Sequence, residues 1–401
     1  MPRVLREYAM IADGRRGAIV GPAGDIAWLC APRWDSDALF NTLIGGAGHY
    51  TVTPVDRHTW GGFYEDGSLI WRSRWITDGG RIECREALAL PADPDTTVVL
   101  RRIEPIDTTA HLRLTLDPRA GYGTTALRDL HRHHGVWTAR VGDLYLRWSG
   151  AADARRRTRN GVALLTVDVE VVAGAHRNLI LEISARPLPP EAPDADVLWS
   201  ATEAAWREAV PRLDDVIDPR EARHHYAVLY GLTSPGGGTV AAATTSLPER
   251  SEADRNYDYR YVWVRDQCYI GRAAATVGGD GLLDDSVAFV ADRLCADGDR
   301  LAPAYTVAGE AVPGERHVGL DGYPGGGDII GNRVRGQFQL DAFGEALLLF
   351  AAAADRDRLD DHGWEAARAA VGAIGKRWQQ PDAGIWEIDD RAWTHSRLIA
   401  A

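Results

Sequence analysis

A glutamate beside a tryptophan near the C-terminus is the first candidate for acid–base chemistry. Glu387 follows Trp386, and only Ile385 separates this pair from the Pro-Asp-Ala-Gly segment 381–384, whose residue types predict a turn and a loop position. Contact with an aromatic ring raises the pKa of a carboxyl group by desolvation, as a general acid working near neutral pH requires. An indole can also stack on the apolar face of a sugar. Most glutamates beside a tryptophan are solvated surface residues, so this pair alone does not define a site.

The second candidate is the densest aromatic and charged cluster of the chain, residues 256–266, which reads Asn-Tyr-Asp-Tyr-Arg-Tyr-Val-Trp-Val-Arg-Asp. Every second residue up to Trp263 is aromatic, so an extended segment would present these rings on one face. Arg265 and Asp266 follow at the predicted start of a helix. Asp266 either caps that helix or joins Arg265 in binding sugar hydroxyls while Trp263 or Tyr259 stacks on the ring. The residues alone leave both interpretations open.

Patterns for other chemistries are weak. His131, His133 and His134 match no metal-ligand spacing, and a solvated loop is the simpler interpretation. The glycine run 325–327 has neither the G-K-[ST] of a P-loop nor the context of a GxGxxG motif, which argues against a nucleotide site. No G-x-S-x-G motif is present, so a nucleophile elbow is not expected. We therefore expect no metal and no cofactor.

The composition of the chain limits the classes of partner that it is expected to bind. The chain has 401 residues, 45% of them hydrophobic and 25% charged, and a net charge of -12, which disfavours a nucleic-acid partner. The four cysteines are far apart and form no CxxC pair. The first ten residues lack the apolar core of a secretory signal, and no stretch of 18 apolar residues predicts a membrane span. These features predict a cytoplasmic protein with no membrane partner.

The hydrophobic periodicity changes once along the chain. Residues 1–195 show alternating strands and frequent turns, which predict an N-terminal β-sandwich domain. A proline-rich stretch at 186–196 ends this region. About six helices are predicted between 201 and 380, joined by long loops rich in glycine and proline. We assign 196–218 to a linker and connecting helix and 219–401 to a helical catalytic domain.

Several of these segments, in the same order along the chain, resemble the glucoamylase and trehalase-like glycoside hydrolases of family 15. The similarity covers nearly the whole chain, and several ordered segments are much more specific than any one of them. The matching segments are 25–36, 243–249, 256–266, 331–332 with 337–345, and 382–387 with 394–396.

The resemblance implies a fold and an activity. The expected fold is multidomain β + α, an N-terminal β-sandwich followed by an (α/α)6 barrel, and the expected chemistry is hydrolysis of α-glucosidic bonds with inversion. In the family pattern Glu387 is the general acid. The residues implied to line the subsite for the non-reducing glucose are Tyr259, Trp263, Arg265, Asp266 and Trp386.

The chain departs from the family in its C-terminal part. The family's catalytic base lies far beyond the Trp-Glu segment, whereas this sequence ends at Ala401. About six helices are predicted where a full barrel has twice that number. We therefore expect an incomplete barrel with the base absent from this chain. A homo-oligomer is one way in which its exposed apolar edges would be covered.

The sequence thus predicts a glycoside hydrolase for trehalose, maltose or malto-oligosaccharides, with an α-glucoside or oligosaccharide as its partner. Two alternatives stay open: a non-catalytic carbohydrate-binding protein and an inactive truncated fragment. Both are motivated by the missing base, since an inverting hydrolase needs two carboxylates.

Overall fold

The N-terminal half of the protein is built from two antiparallel sheets. The computed structural model describes residues 2–159, 161–250 and 255–401. Its first strands are β1 (Ala9–Ala12), β2 (Gly17–Val20), β3 (Asp25–Cys30), β4 (Ala38–Phe40), β5 (His49–Pro54), β6 (His58–Tyr64), β7 (Trp71–Thr77), β8 (Gly80–Leu88), β9 (Thr96–Pro105), β10 (Ala110–Asp117), β11 (Leu127–His133), β12 (Val136–Val141), β13 (Leu144–Ser149), β14 (Arg155–Arg159), β15 (Val162–Val171) and β16 (Arg177–Ser184). One sheet has the order β1-β2-β3-β5-β10-β15-β14 with β4 beside β3, and the other the order β11-β12-β13-β16-β9-β8-β7-β6.

The two sheets share one hydrophobic core. Alternate residues of β5 are buried, as the two-residue period of a strand with one covered face predicts. Tyr50 of β5 meets Trp148 of β13 edge to face, with ring centroids 5.9 Å apart, and accepts a 3.1 Å hydrogen bond from the Trp148 indole. Since these residues belong to different sheets, the contact joins them. The prediction of a β-rich N-terminal region is confirmed.

The C-terminal half is mainly helical, as predicted. The helices are α1 (Ala120–Gly123), a single turn within the β-rich half, α2 (Ala195–Ala209), α3 (Pro219–Leu232), α4 (Val264–Thr276), α5 (Asp280–Asp297), α6 (Asp341–Ala354), α7 (Asp361–Arg377) and α8 (Thr394–Ala400). Short strands lie in the loops of this half: β17 (Thr245–Arg250) pairs with β18 (Arg255–Asp258), β19 (Val262–Trp263) with β20 (Ala304–Tyr305), and β21 (Arg316–His317) with β22 (Ile329–Ile330). Among the described helices, none combines the length and the apolar character that a membrane crossing needs.

Local signals explain where the first helices begin. The Asp194 carboxylate accepts hydrogen bonds from the backbone of Asp196 and Val197, so α2 starts inside the stretch that its prolines mark as a linker. Asp218 caps α3 in the same way, and Pro219 occupies the first helical position, where its missing N–H costs nothing.

The later helices pack in two rows. In one row α4 contacts α6 and α6 contacts α8, and in the other α5 contacts α7. α4 also packs on α5, and α6 on α7. The core between the rows contains Leu283, Val290, Leu349 and Phe350. The loops that precede α4 and α8 therefore belong to the two helices that flank α6 in one row.

Buried polar contacts tie the β-rich half to the loop before α4. Asp258 and Arg260 form a two-contact ion pair, with Nε–Oδ1 at 2.8 Å and Nη2–Oδ2 at 2.7 Å, and their side chains are 0% and 1% exposed. Arg260 also donates to the Ser36 carbonyl at 2.9 Å. The Trp28 indole donates to the Ala243 carbonyl at 2.8 Å. Trp28 of β3 and the Ser36 carbonyl thus hold the loop against the N-terminal half.

One half-buried carboxylate on α5 leads to a prediction about stability. Burial, with a smaller contribution from neighbouring Asp284, raises the pKa of Asp285 from 3.8 to about 6. The folded protein therefore holds a proton that the unfolded chain releases near pH 4, and this contribution to stability is lost as the pH rises through 6. We expect Asp285→Asn to increase the free energy of unfolding above pH 6 by roughly 1–3 kcal/mol.

The gain should shrink as the pH falls from 6 to 4 and vanish well below pH 4, where Asp285 is protonated in both states. Urea denaturation of both proteins at pH 4 and pH 7.5 measures this difference. An equal effect of Asp285→Asn at both values would contradict the assignment of the raised pKa.

Candidate active site

An open cavity of about 730 Å³ lies where the loop before α4 meets the loop before α8. Its walls come from four parts of the described chain, which are the loop before α4, the first turns of α4, Asn332 with Arg333, and residues 385–388. The loop before α4 contributes Ala241, Ala242, Glu249, Arg255, Tyr257, Tyr259 and Trp263. The structure thus brings together two segments that are more than a hundred residues apart in the sequence. Five of the predicted site residues line the cavity together with Glu387: Tyr259, Trp263, Arg265, Asp266 and Trp386.

The contact between Trp263 and Glu387 joins the two segments. The Trp263 indole nitrogen donates a 3.0 Å hydrogen bond to Oε1 of Glu387. Trp263 is buried at the end of β19, directly before α4, and the Tyr259 ring lies 5.6 Å from it between centroids. Glu387 has a φ of 50°, a left-handed backbone that a non-glycine residue rarely adopts. The loop therefore holds its carboxylate against the aromatic wall at a conformational cost.

Asp266 reaches the cavity from the first turn of α4. The N-cap of this helix is Trp263, so Asp266 is not the capping residue. Desolvation by the surrounding protein raises the pKa of Asp266; the Arg265 guanidinium opposes this shift, and the charge of Glu387 adds to it. A carboxylate in this position can accept hydrogen bonds from a polyhydroxylated ligand.

Arg265 is committed to other protein groups. Its Nε pairs with Oδ2 of Asp341 at 3.0 Å, and its Nη2 donates to Oε1 of Gln339 at 2.9 Å and to the Ile385 carbonyl at 3.4 Å. The Arg265 guanidinium thereby connects α4, the start of α6 and the Glu387 loop. These contacts position the cavity wall, while its predicted contact with a sugar stays a prediction.

Trp386 lies at the mouth of the cavity. Its side chain is 74% exposed, whereas Trp263 is buried in the wall. The two tryptophans therefore offer different surfaces: an aromatic wall inside and a free indole at the entrance. Stacking of a ligand on Trp386 stays a prediction.

Sequence reasoning did not single out Glu249 as a site residue. Glu249 ends the segment 243–249, and its carboxylate accepts a hydrogen bond from the Tyr259 hydroxyl. Desolvation and the Glu249 charge raise the pKa of Tyr259, so its hydroxyl remains a donor. Arg255 and Arg333 also line the cavity. The sequence did not predict that these residues line the cavity. The only indication was that Glu249 belongs to a segment that resembles the family.

A buried carboxylate supports the Glu387 loop from below. Asp382 is fully buried at the start of this loop. Its oxygens accept hydrogen bonds from Leu340 N at 3.3 Å, Gly384 N at 3.1 Å, Ser396 Oγ at 2.7 Å and Arg397 Nη1 at 2.7 Å. Asp382 thus joins the start of α6, the Glu387 loop and α8, and it is a positioning residue.

We expect Asp382→Asn to loosen the Glu387 loop. The amide loses the charge that faces Arg397 and turns two donor hydrogens toward existing donors, so we expect a loss of roughly 1–3 kcal/mol in the free energy of unfolding. Thermal unfolding and limited proteolysis at 385–393 measure the two effects. Asp389→Asn, which alters an exposed pair with Arg391 in the same loop, is the matched control. Equal proteolysis of both variants would contradict this role.

Known proteins resemble the chain in both halves. Residues 224–401 match the model of glycosyl hydrolases family 15, and residues 2–145 match the trehalase-like N-terminal model. By fold, a bacterial glucoamylase in complex with acarbose aligns with a TM-score of 0.60 and 13% identity, covering 95% of this chain and 61% of that one. The fold is therefore glucoamylase-like. Residues 224–401 therefore resemble glycosyl hydrolases family 15, which confirms the predicted resemblance.

Two curated relatives are similar to this chain across both its β-rich and its helical regions. A trehalase of Mycolicibacterium smegmatis is 32% identical over 98% of this chain and 64% of its own length. A trehalase of Mycobacterium tuberculosis is 30% identical over 98% of this chain and 63% of its own length. The chain therefore spans less than two thirds of the length of these relatives.

Proposed function

We propose that the cavity binds an α-glucoside, with trehalose as the first candidate, and that Glu387 acts as the general acid in its hydrolysis. The observation that carries the proposal is the 3.0 Å hydrogen bond from the Trp263 indole to Glu387, because it places a carboxylate against an aromatic wall inside an open cavity. The names of the related trehalases support trehalose as the substrate.

The lining of the cavity suits a neutral sugar. Rings such as Tyr259 and Trp263 offer apolar surface for the faces of a glucose unit, while Asp266 offers acceptors for its hydroxyls. In this proposal Glu387 protonates the glycosidic oxygen, and Asp266 and Arg265 fix the sugar in the subsite. Trp386 covers the part of the ligand nearest the entrance.

Inversion requires a second carboxylate roughly 6.5–9.5 Å from the acid, with room for a water molecule between them. The other carboxylates that line the cavity in the described structure are Glu249 and Asp266. Glu249 is engaged with the Tyr259 hydroxyl, and we assign Asp266 to sugar binding. The family pattern implies that the catalytic base is a residue other than these. Both this base and the inversion of configuration stay predictions.

We infer that the two sheets form the predicted β-sandwich and that α4–α8 form part of an (α/α)6 barrel. The shared core of the sheets and the two rows of helices support this interpretation. The domain divisions at 195 and 218, the cytoplasmic location and a homo-oligomeric state stay predictions.

The test measures binding and turnover on the same 401-residue protein. Calorimetry with trehalose and maltose, against the β-linked disaccharide cellobiose, gives the affinity and the preference for α-glucosides. Proton NMR of the same mixtures detects glucose and its first anomer. We expect binding of the α-linked sugars, weakened at least tenfold by Asp266→Asn and unchanged by Asp390→Asn, an exposed carboxylate on the Glu387 loop.

The outcomes separate the alternatives. Release of β-glucose supports an inverting hydrolase, and binding without release of glucose supports a carbohydrate-binding protein. Equal affinity for α- and β-linked disaccharides, or no binding by the folded protein, would overturn the proposal.

A further inference from the structure

Two neighbouring helices present a set of metal-binding side chains away from the proposed active site. α5 packs against α7. Asp292 and Cys295 are three residues apart on α5, and His362 and Glu365 are three residues apart on α7. Residues with this spacing lie on one face of a helix, so each helix offers a pair of side chains to the other.

Three potential metal-ligand atoms of these side chains lie close together. A ligand atom from each of Cys295, His362 and Glu365 lies within 4.8 Å of the other two. The Cys295 sulfur is 3.9 Å from Nδ1 of His362. In a tetrahedral zinc site with a thiolate and an imidazole, these two atoms are roughly 3.5 Å apart. A shift of a few tenths of an ångström would therefore bring the sulfur and Nδ1 to this separation. The Glu365 side chain is exposed and can rotate to add its carboxylate oxygen.

Asp292 orients the ring of His362 so that Nδ1 can bind a metal. Its Oδ1 lies 2.9 Å from Nε2 of His362. A carboxylate only accepts hydrogen bonds, so Nε2 carries the proton, and the lone pair of Nδ1 points toward the Cys295 sulfur. Metal-bound histidines usually show this arrangement, with the second ring nitrogen donating to a carboxylate.

We propose that Cys295, Nδ1 of His362 and Glu365 bind a zinc ion, with Asp292 holding the histidine ring. A thiolate, an imidazole and a carboxylate together favour zinc over magnesium or calcium, which prefer oxygen ligands alone. Three protein ligands leave the fourth tetrahedral position for water or another donor.

The bound ion would fasten α7 to α5. Because α7 leads directly into the segment that carries Asp382 and Glu387, the ion would restrain the chain before the proposed active site. The role is structural and does not depend on the proposed hydrolase activity. Without an ion, the same groups form only a surface hydrogen-bond network between the helices.

Titration of the metal-free protein with Co²⁺, a spectroscopic substitute for Zn²⁺, tests the site directly. We expect one equivalent to produce d–d bands of a tetrahedral ion and a thiolate-to-cobalt charge-transfer band. Cys295→Ser should remove the charge-transfer band. Competition with a chromophoric zinc chelator should show a 10–100-fold weaker affinity for Asp292→Asn, the usual effect of losing such a partner.

His225→Gln is the matched control, since His225 is an exposed helical histidine beside Glu221. It should leave the spectrum and the affinity unchanged, and circular dichroism confirms that each variant is folded. A cobalt spectrum without the charge-transfer band, the same spectrum in Cys295→Ser, or no saturable binding of either ion would overturn the proposal.

Discussion

Glutamine in place of Glu387 is expected to reduce the release of glucose from trehalose by roughly 10²–10⁴-fold, the usual contribution of a general acid. The side chain keeps its shape, and its amide oxygen can still accept the hydrogen bond from the Trp263 indole. Substrate binding should therefore change little, so the loss should fall on kcat and not on KM. Steady-state kinetics with a coupled glucose assay measures both constants.

The matched control is Asp390→Asn, which removes an exposed carboxylate three residues further along the same loop. We expect its kcat to equal that of the unmodified protein. If Glu387→Gln retained full turnover, Glu387 would not be the acid. If both variants lost turnover equally, a general effect of charge on the loop would explain the result.

The largest effect on stability is expected for Asp258→Asn. The substitution removes the charge that compensates Arg260 in a site that water does not reach, and it also weakens the contact with the Gly331 N–H at 2.9 Å. Breaking one side of a buried ion pair typically costs about 3–5 kcal/mol. We expect a loss of that size in the free energy of unfolding, measured by urea denaturation.

A surface pair provides the comparison. Arg113 and Asp168 lie 2.7 Å apart on neighbouring strands with more than half of each side chain exposed, so solvent screens their attraction. Asp168→Asn should leave the unfolding midpoint unchanged. A similar loss for both variants would show that burial does not set the strength of the Asp258–Arg260 pair.

The sequence predicted the strands and helices better than it predicted the contacts between distant residues. Strand alternation and helical periodicity gave the order of β-rich and helical regions, because both depend on neighbours in the chain. The start of α2 was misplaced by a few residues, since the prolines before it obscured the cap provided by Asp194. Helix α6 begins only at Asp341, because the preceding residues form a 3₁₀ turn and a polar segment that contacts Arg265.

The site was predicted in part. An extended segment would place all four rings of 257–263 on one face, but the strand ends at Asp258 and the next begins only at Val262. Tyr261 is consequently buried beside Ala304 and Val312, away from the cavity lining. Contacts such as Tyr259–Glu249 and Arg265–Asp341 depend on how distant loops meet, which local periodicity does not encode.

The anchoring of Arg260 on the Ser36 carbonyl has a consequence for recombination between related proteins. A chimaera that took its β-rich half from one parent and its helical half from another would separate residues that contact each other across the two halves. Residues 28–36 and 243–260 should therefore be inherited as one unit, although more than two hundred positions of sequence lie between them.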